Sequence, residues 1–212
     1  MINAFRKIRK DMFKKKSFLS YILYAIGEIA LIVVGILLAL YLQNRNEEKK
    51  VKETVTNTIN MLKDEIDTNK NRIKRVQDYH IMVKDSLFKM SMPKSEKEID
   101  GKLNFWKGMQ TPRLQNAAFQ TSIQSGIGKE FNPELLKALN GLYTYQDSYN
   151  EYSSQTTQIF FGTDLTDFKS FGKVMRSIQM SMNDLYWYEK ELIEMLDHNL
   201  KQIDSLYPAI ND

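Results

Sequence analysis

The chain has 212 residues, no cysteine, two histidines and a formal net charge of +4. Without cysteine there are no disulfides, thiolate nucleophiles or cysteine-ligated zinc or iron-sulfur sites. The positive excess does not point to nucleic acid, because it is confined to the first seventeen residues: Arg6, Lys7, Arg9, Lys10, Lys14, Lys15 and Lys16 stand there against Asp11 alone, whereas Gln43 onward carries 23 basic and 24 acidic residues.

That distribution belongs to a membrane surface and to topology. Residues 1–17 form a basic leader whose Ile2, Phe5, Ile8 and Phe13 lie among the cations. Such a segment can rest on anionic lipid headgroups, or its charges can serve only to set orientation. Residues 18–42, FLSYILYAIGEIALIVVGILLALYL, follow with one ionisable side chain, Glu28. A helix of that length rises roughly 37 Å against a hydrocarbon core of about 30 Å, enough to cross with some tilt. The run is too long for the apolar region of a cleaved signal peptide, and no small-residue cleavage site closes it, so an uncleaved signal anchor is expected. Beyond it, Arg45, Lys49, Lys50 and Lys52 are interleaved with Glu47, Glu48 and Glu53. The charge asymmetry predicts a cytoplasmic N-terminus and an extracytoplasmic domain over residues 43–212.

On a helical wheel Glu28 shares a face with Gly35 and Ala39, each about 20° away, and with Tyr21, Tyr24 and Ala25 within about 60°. Small residues allow close helix approach, and the phenols can hydrogen-bond the acid. A helix-packing role is expected for these six residues; the alternative is a proton-carrying or partner-sensing acid. The lipid bilayer is one partner, and a second copy of the chain or another membrane protein is the other expected.

The segment FRKIRKDMFKKKSFLSYILYAIGEIALIVVGILLALYLQNRNEE resembles the N-terminal signature of an uncharacterised family of single-span bacterial membrane proteins, which reads FRKIR, a basic spacer, YAIGEI, GILIAL and an NxWNE-like exit. Phe5 to Arg9, Tyr24 to Ile29 and most of Gly35 to Leu40 match, while Arg45 stands where that family has tryptophan. FQTSIQSGIGKEFNPELLKAL is similar to the family's middle segment. The resemblance implies a bacterial inner-membrane location and no particular activity.

From Val51 apolar residues recur in heptads, with Ile59, Ile66, Ile73, His80 and Leu87 at one seam position and Leu62, Asn69, Val76, Val83 and Met90 at the other. No proline or glycine interrupts before Met92, so a helix is predicted over 50–91. Its seam can pack on the C-terminal helices or form a coiled coil between protomers. Asn69 is a candidate register residue. His80 is expected as a partly exposed spacer rather than a ligand, since no second ligand shares its face; His198 could meet it only through the fold.

Met92-Pro93 should stop that helix. Ser95 and Glu98 predict a capping box opening a short helix over 96–107, and a second is expected over 114–125. The GxGK of Gly126 to Lys129 lacks the spacing and the hydroxyl of a phosphate loop and is read as a helix cap and turn. Asn132-Pro133-Glu134 opens a helix over 133–160. Its Tyr143, Tyr145, Tyr149 and Tyr152 are expected in core and rim packing, with a partner or glycan surface as the alternative. The last helix should run over 173–207, ended by Pro208.

The expectation is therefore an all-α protein: one N-terminal transmembrane helix, then a long helix and an up-and-down helical bundle. No HExxH, G-x-S-x-G or phosphate loop is present, so neither an enzyme nor a cofactor or metal site is expected. The leading functional expectation is a membrane-anchored, self-associating scaffold. The others are a sensory or signal-relay subunit without its own output domain, and an accessory subunit of a proton-coupled complex using Glu28.

Overall fold

The computed structural model describes residues 18–208, and the cations Arg6, Lys7, Arg9, Lys10, Lys14, Lys15 and Lys16 lie outside the described residues. The protein is all-α. Helix α1 spans Phe18–Lys89, α2 Ala117–Gln124, α3 Pro133–Phe161 and α4 Phe171–Leu206, with 3-10 turns at Glu96–Glu98 and Ile127–Glu130. No strand occurs among the described residues. The span and the heptad segment, expected as separate helices, are one element because nothing between Leu42 and Val51 breaks helical geometry.

The chain divides into two compact units, Met1–Glu53 and Thr54–Asp212. In the first, α1 is long and apolar enough to cross a membrane. Its residues from Ser20 to Glu53 are exposed, apart from the half-buried Tyr24 and Ala25. Beyond the apolar run, Gln43 Nε2 donates to Glu47 Oε1 at 2.9 Å, an i,i+4 pair on the helix surface.

The second unit is built from four passes of chain. α1 and α4 are antiparallel, since Lys63 pairs with Asp204 at 2.6 Å, Lys70 with Asp197, and His80 with Glu189. α1 and α3 run the same way, because Tyr143 reaches Glu65 and Gln146 reaches Asn69. The return between them is residues 90–116, which run back along α1: Tyr79 meets Gly108, Arg72 meets Arg113 and Asn69 meets Gln115. The second pass of the up-and-down arrangement is therefore mostly irregular chain rather than helix.

Here the sequence-based boundaries need correcting. The helix expected over 96–107 is a single 3-10 turn followed by further turns. Ser95 makes no cap with its side chain, and Glu98 Oε2 instead accepts from Lys94 N at 2.9 Å. Gly101 then takes φ 78°, a left-handed conformation that ends any helix begun there. Further on, Gly108 at φ 84° and Gln110 at φ 50° keep the chain irregular. The helix expected over 114–125 starts only at Ala117, because the backbone of Leu114 and Gln115 is engaged by side chains of α3 and α1. It closes at Gly126, whose φ of 79° is the left-handed cap that glycine supplies.

α3 opens as its sequence predicts. Asn132 Oδ1 accepts from Glu134 N at 2.8 Å and from Leu135 N at 3.4 Å, with Pro133 in the first turn. In the α3–α4 turn Asp164 Oδ1 accepts from Thr166 N and Oγ1, and Asp167 Oδ2 from Ser170 Oγ. These bonds hold both carboxyls below the ordinary aspartate range.

The core of the second unit lies along the heptad seam. Ile59, Leu62, Ile66, Asn69, Ile73, His80 and Val83 are fully buried and Leu87 nearly so, while Val76 is half-buried. Ile59, Leu62, Ile66, Ile73, Val83 and Leu87 share one apolar cluster with Leu135, Leu139, Leu142 and Tyr149 of α3 and Ile178, Leu185, Leu192, Leu196 and Ile203 of α4. Each aliphatic side chain removed from water here contributes roughly 1.5–3 kcal/mol before chain entropy is counted.

Candidate functional site

The polar residues of the α1 seam act on the return segment, whose backbone groups have no helix to satisfy them. A buried N–H or C=O left without a partner costs about as much as a lost hydrogen bond, so such a segment needs side-chain partners. α1 supplies them in helical register. Asn69 Oδ1 accepts from Gln115 N at 2.8 Å while its Nδ2 donates to Gln115 O at 2.7 Å, so the amide copies a strand neighbour. Gln146 of α3, also fully buried, donates to the same carbonyl at 2.8 Å and accepts from Asn69 at 3.0 Å. One turn on, Arg72 Nη1 donates to Arg113 O at 2.8 Å. Tyr79 Oη donates to Gly108 O and accepts from Lys107 N, both at 2.8 Å.

At the start of α2, Glu65 supplies what Asn116 does not. Asn116 makes no side-chain cap, and the Glu65 carboxylate accepts instead from Ala118 N at 2.9 Å, Phe119 N at 3.4 Å and Tyr143 Oη at 2.7 Å. This is an N-cap delivered from another helix, with a negative charge at the positive end of the α2 dipole. Phe119 stacks on Tyr143 at 4.4 Å between centroids, which fixes the phenol in place.

His80 departs from the expectation of a partly exposed spacer: it is fully buried and bonded at both ring nitrogens. Nε2 lies 2.7 Å from Met109 O and Nδ1 2.8 Å from Glu189 Oε1. A carbonyl only accepts, so Nε2 carries a proton; a second proton must lie between Nδ1 and Oε1, since two lone pairs would otherwise face each other. Tyr149 Oη donates to the same Oε1 at 3.0 Å. Glu189 Oε2 has no partner among the described residues. The cluster thus ties α1, the return segment, α3 and α4 at one level, through the Nε2 proton on Met109 O, the proton shared with Glu189 and the hydroxyl proton of Tyr149.

The four tyrosines of α3 all donate to carboxylates. Tyr143 reaches Glu65, Tyr149 reaches Glu189, Tyr145 reaches Glu191 Oε2 at 2.7 Å and Tyr152 reaches Asp184 Oδ2 at 3.1 Å. Burial first, and then the facing carboxylate, pushes the phenols of Tyr143 and Tyr149 well above the ordinary tyrosine range. Tyr145 and Tyr152 are raised in the same order of causes. Tyr188 of α4 packs among the rings of Tyr145, Tyr149 and Tyr152.

The remaining expected residues fall elsewhere. Tyr21, Glu28, Gly35 and Ala39 are exposed on α1 in the first unit, and Tyr24 and Ala25 half-buried. A side chain added at Gly35 would meet nothing within 4 Å, so the small-residue face is open. His198 does not join His80; it is exposed on α4 and lines a groove of about 690 Å³ with Glu194, Asn199 and residues of α3. Among the described residues, no group of three or more acids and histidines is placed to hold a metal ion.

Sequence reasoning missed Glu65, Gln146 and Glu189. The latter two interrupt apolar stripes at helical spacing: Leu142-Gln146-Tyr149 and Leu185-Glu189-Leu192. A polar residue inside such a period marks a buried bond, and that was the available signal. Comparison with protein families, with curated proteins and with solved structures finds no match.

Proposed function

We propose that the chain is a single-pass membrane protein whose helical unit stands outside the cytoplasmic membrane and whose span is its association surface, pairing with a second copy or with another membrane protein. It acts by binding and positioning, not by catalysis. One contrast carries this reading. In Thr54–Asp212 the apolar faces of α1, α3 and α4 bury one another, so the heptad seam is already occupied within one chain. In the first unit no residue of the most apolar stretch is buried. Apolar surface that still needs a neighbour is therefore concentrated on the span, where lipid covers part of it and the Glu28, Gly35 and Ala39 face suits another helix. The basic leader supports a cytoplasmic N-terminus. The resemblance of FRKIR, YAIGEI and GILLAL to the signature of single-span bacterial membrane proteins supports a bacterial inner membrane.

The absence of native cysteine makes the test direct. Gly35→Cys and Ala39→Cys lie on the proposed face, and Leu37→Cys lies about 180° from Glu28 on the wheel. Oxidation in native membranes should cross-link the first two at least fivefold more than the third. Equal yields at all three positions, or none at any, would remove the span as a specific association surface.

A further inference from the structure

The end of the second unit opposite Thr54 gathers exposed apolar side chains from every segment that reaches it. Lys89, the last residue of α1, lies 35 residues beyond Thr54, roughly 50 Å along the helix. α3 runs with α1 and α4 against it, so Phe161 at the close of α3 and Phe171 at the start of α4 come to this end too. Phe88 and Met180 line one groove between α1 and α4, and a Cβ on Gly172 would stand 3.7 Å from the sulfur of Met92. Phe161 is 93 % exposed and Phe88 80 %; Met92 and Met180 are more than half exposed, and Phe168 in the α3–α4 turn is exposed as well. Single apolar residues on a surface are ordinary, but this many at one end of a unit with its own core mark a contact surface.

Charge narrows what that surface meets. Residues 86–104 and 161–183, which form this end, carry seven basic and five acidic side chains, whereas the rest of Thr54–Asp212 carries 12 basic and 16 acidic. Lys89, Lys94, Lys97, Lys169, Lys173 and Arg176 are all exposed, and none has an ion-pair partner among the described residues. Of the acids, Glu98, Asp164 and Asp167 already accept from donors in their own turns. Exposed cations beside exposed phenylalanines suit a surface of anionic headgroups, with the apolar groups entering the acyl boundary. Those apolar groups stand on five separate segments around the end, so no single cleft holds them. A bilayer deforms around such a set, whereas a folded protein partner would need a surface shaped to each.

We propose that this end of the unit docks on the anionic surface of a phospholipid bilayer separate from the one that carries the chain. Phe88, Met92 and Phe161 enter the bilayer interface, and the exposed lysines meet its phosphates. That the bilayer is a second one rests on the span reading; the lipid contact itself does not.

The cysteine-free chain takes a single environment-sensitive fluorophore at Gly162→Cys, where a Cβ would meet nothing within 4 Å. The full chain, held in nanodiscs of neutral phosphatidylcholine, is titrated with separate vesicles of phosphatidylglycerol. A saturable blue shift is expected, at least fivefold weaker with phosphatidylcholine vesicles and weaker again as salt rises. The same label at Asn140→Cys, exposed on α3 far from this end, should not shift, so vesicles held by the basic leader alone are told apart. A Phe88→Ser, Phe161→Ser double variant should lose affinity at least fivefold with its urea midpoint unchanged, because both side chains are exposed. No shift at Gly162→Cys, equal shifts with both lipids, or unchanged affinity in the double variant would overturn the proposal. So would soluble polyglutamate shifting the label as strongly as vesicles, which would make the partner an acidic chain. Cross-linking at Gly35 reads none of these, so this surface and the span reading can fail separately.

Discussion

Two buried acids stand at different levels of the same core and are neutralised in different ways. Glu65 is met only by donors: two backbone amides at the start of α2 and the Tyr143 phenol. Glu189 is met by a phenol too, but its main partner is His80, and one of its oxygens is bare. The first arrangement uses two backbone amides and a phenol whose proton is held more tightly than usual, and it sets where α2 begins. The second depends on a proton shared with another titratable group, and it sets where the return segment crosses α1. A buried charge is costly in both places, but only the second has a histidine among its partners.

The largest effect should follow from taking away the shared proton's other owner. His80→Leu leaves Glu189 buried beside Tyr149 alone and strips Met109 O of its donor. Removing one member of a buried pair costs about 3–5 kcal/mol. Both tryptophans, Trp106 and Trp187, lie in Thr54–Asp212, so fluorescence during urea unfolding of the full chain reports that unit. Adding Glu189→Met to His80→Leu should recover part of the loss, because no unpaired acid then remains. A double variant weaker than the single would mean that the pair contributes through its packing rather than through the proton.

The phenols extend the comparison to alkaline pH. Tyr143 and Tyr149 are both raised, by burial first and by Glu65 or Glu189 second. A raised phenol binds its proton more tightly in the folded chain than in the unfolded one. Its contribution is intact below the unfolded value of about 10 and is lost as pH rises towards the folded value. Each buried phenol should remove roughly 1.4 kcal/mol of stability per pH unit above that point, about 2–3 kcal/mol for the pair at pH 11. The check is the urea midpoint at pH 8.5 and 11, with tyrosinate absorbance showing which phenols stay protonated. A Tyr143→Phe, Tyr149→Phe double variant should show a shallower fall. An identical pH dependence in both proteins would show that the two sites do not control it.

The long helices were legible because their apolar residues repeat at helical spacing from Ile59 through Leu87 and from Ile178 through Ile203. The Asn132-Pro133-Glu134 start was legible because capping is a local matter. Residues 90–116 were not, since what holds them is side chains up to 46 positions away, such as Asn69 on Gln115. The capping box proposed at Ser95 failed for a related reason: the pattern was present, but Gly101 ended the helix before it could form. His80 was misjudged because its partner, Glu189, lies 109 residues on and belongs to a different helix. A polar residue in a seam shows that something must satisfy it. The sequence alone does not say what.

The smallest predicted effects separate the two acids most finely, because one isosteric change gives each a different fault. In Glu65→Gln the oxygen can keep Phe119 N and Tyr143, but the new amide nitrogen faces Ala118 N, donor against donor, and α2 loses the charge at its N-terminus. Lost caps and dipole partners of this kind cost about 1–2 kcal/mol, and the amides of Ala118 and Phe119 should exchange faster with solvent. In Glu189→Gln the amide nitrogen can donate to Nδ1 of a neutral His80 that still donates from Nε2 to Met109 O. Only the Tyr149 contact must then rearrange, at about 1 kcal/mol. If Glu189→Gln proves the more damaging of the two, the pair is held by full charge rather than by a shared proton, and the distinction between the two acids disappears.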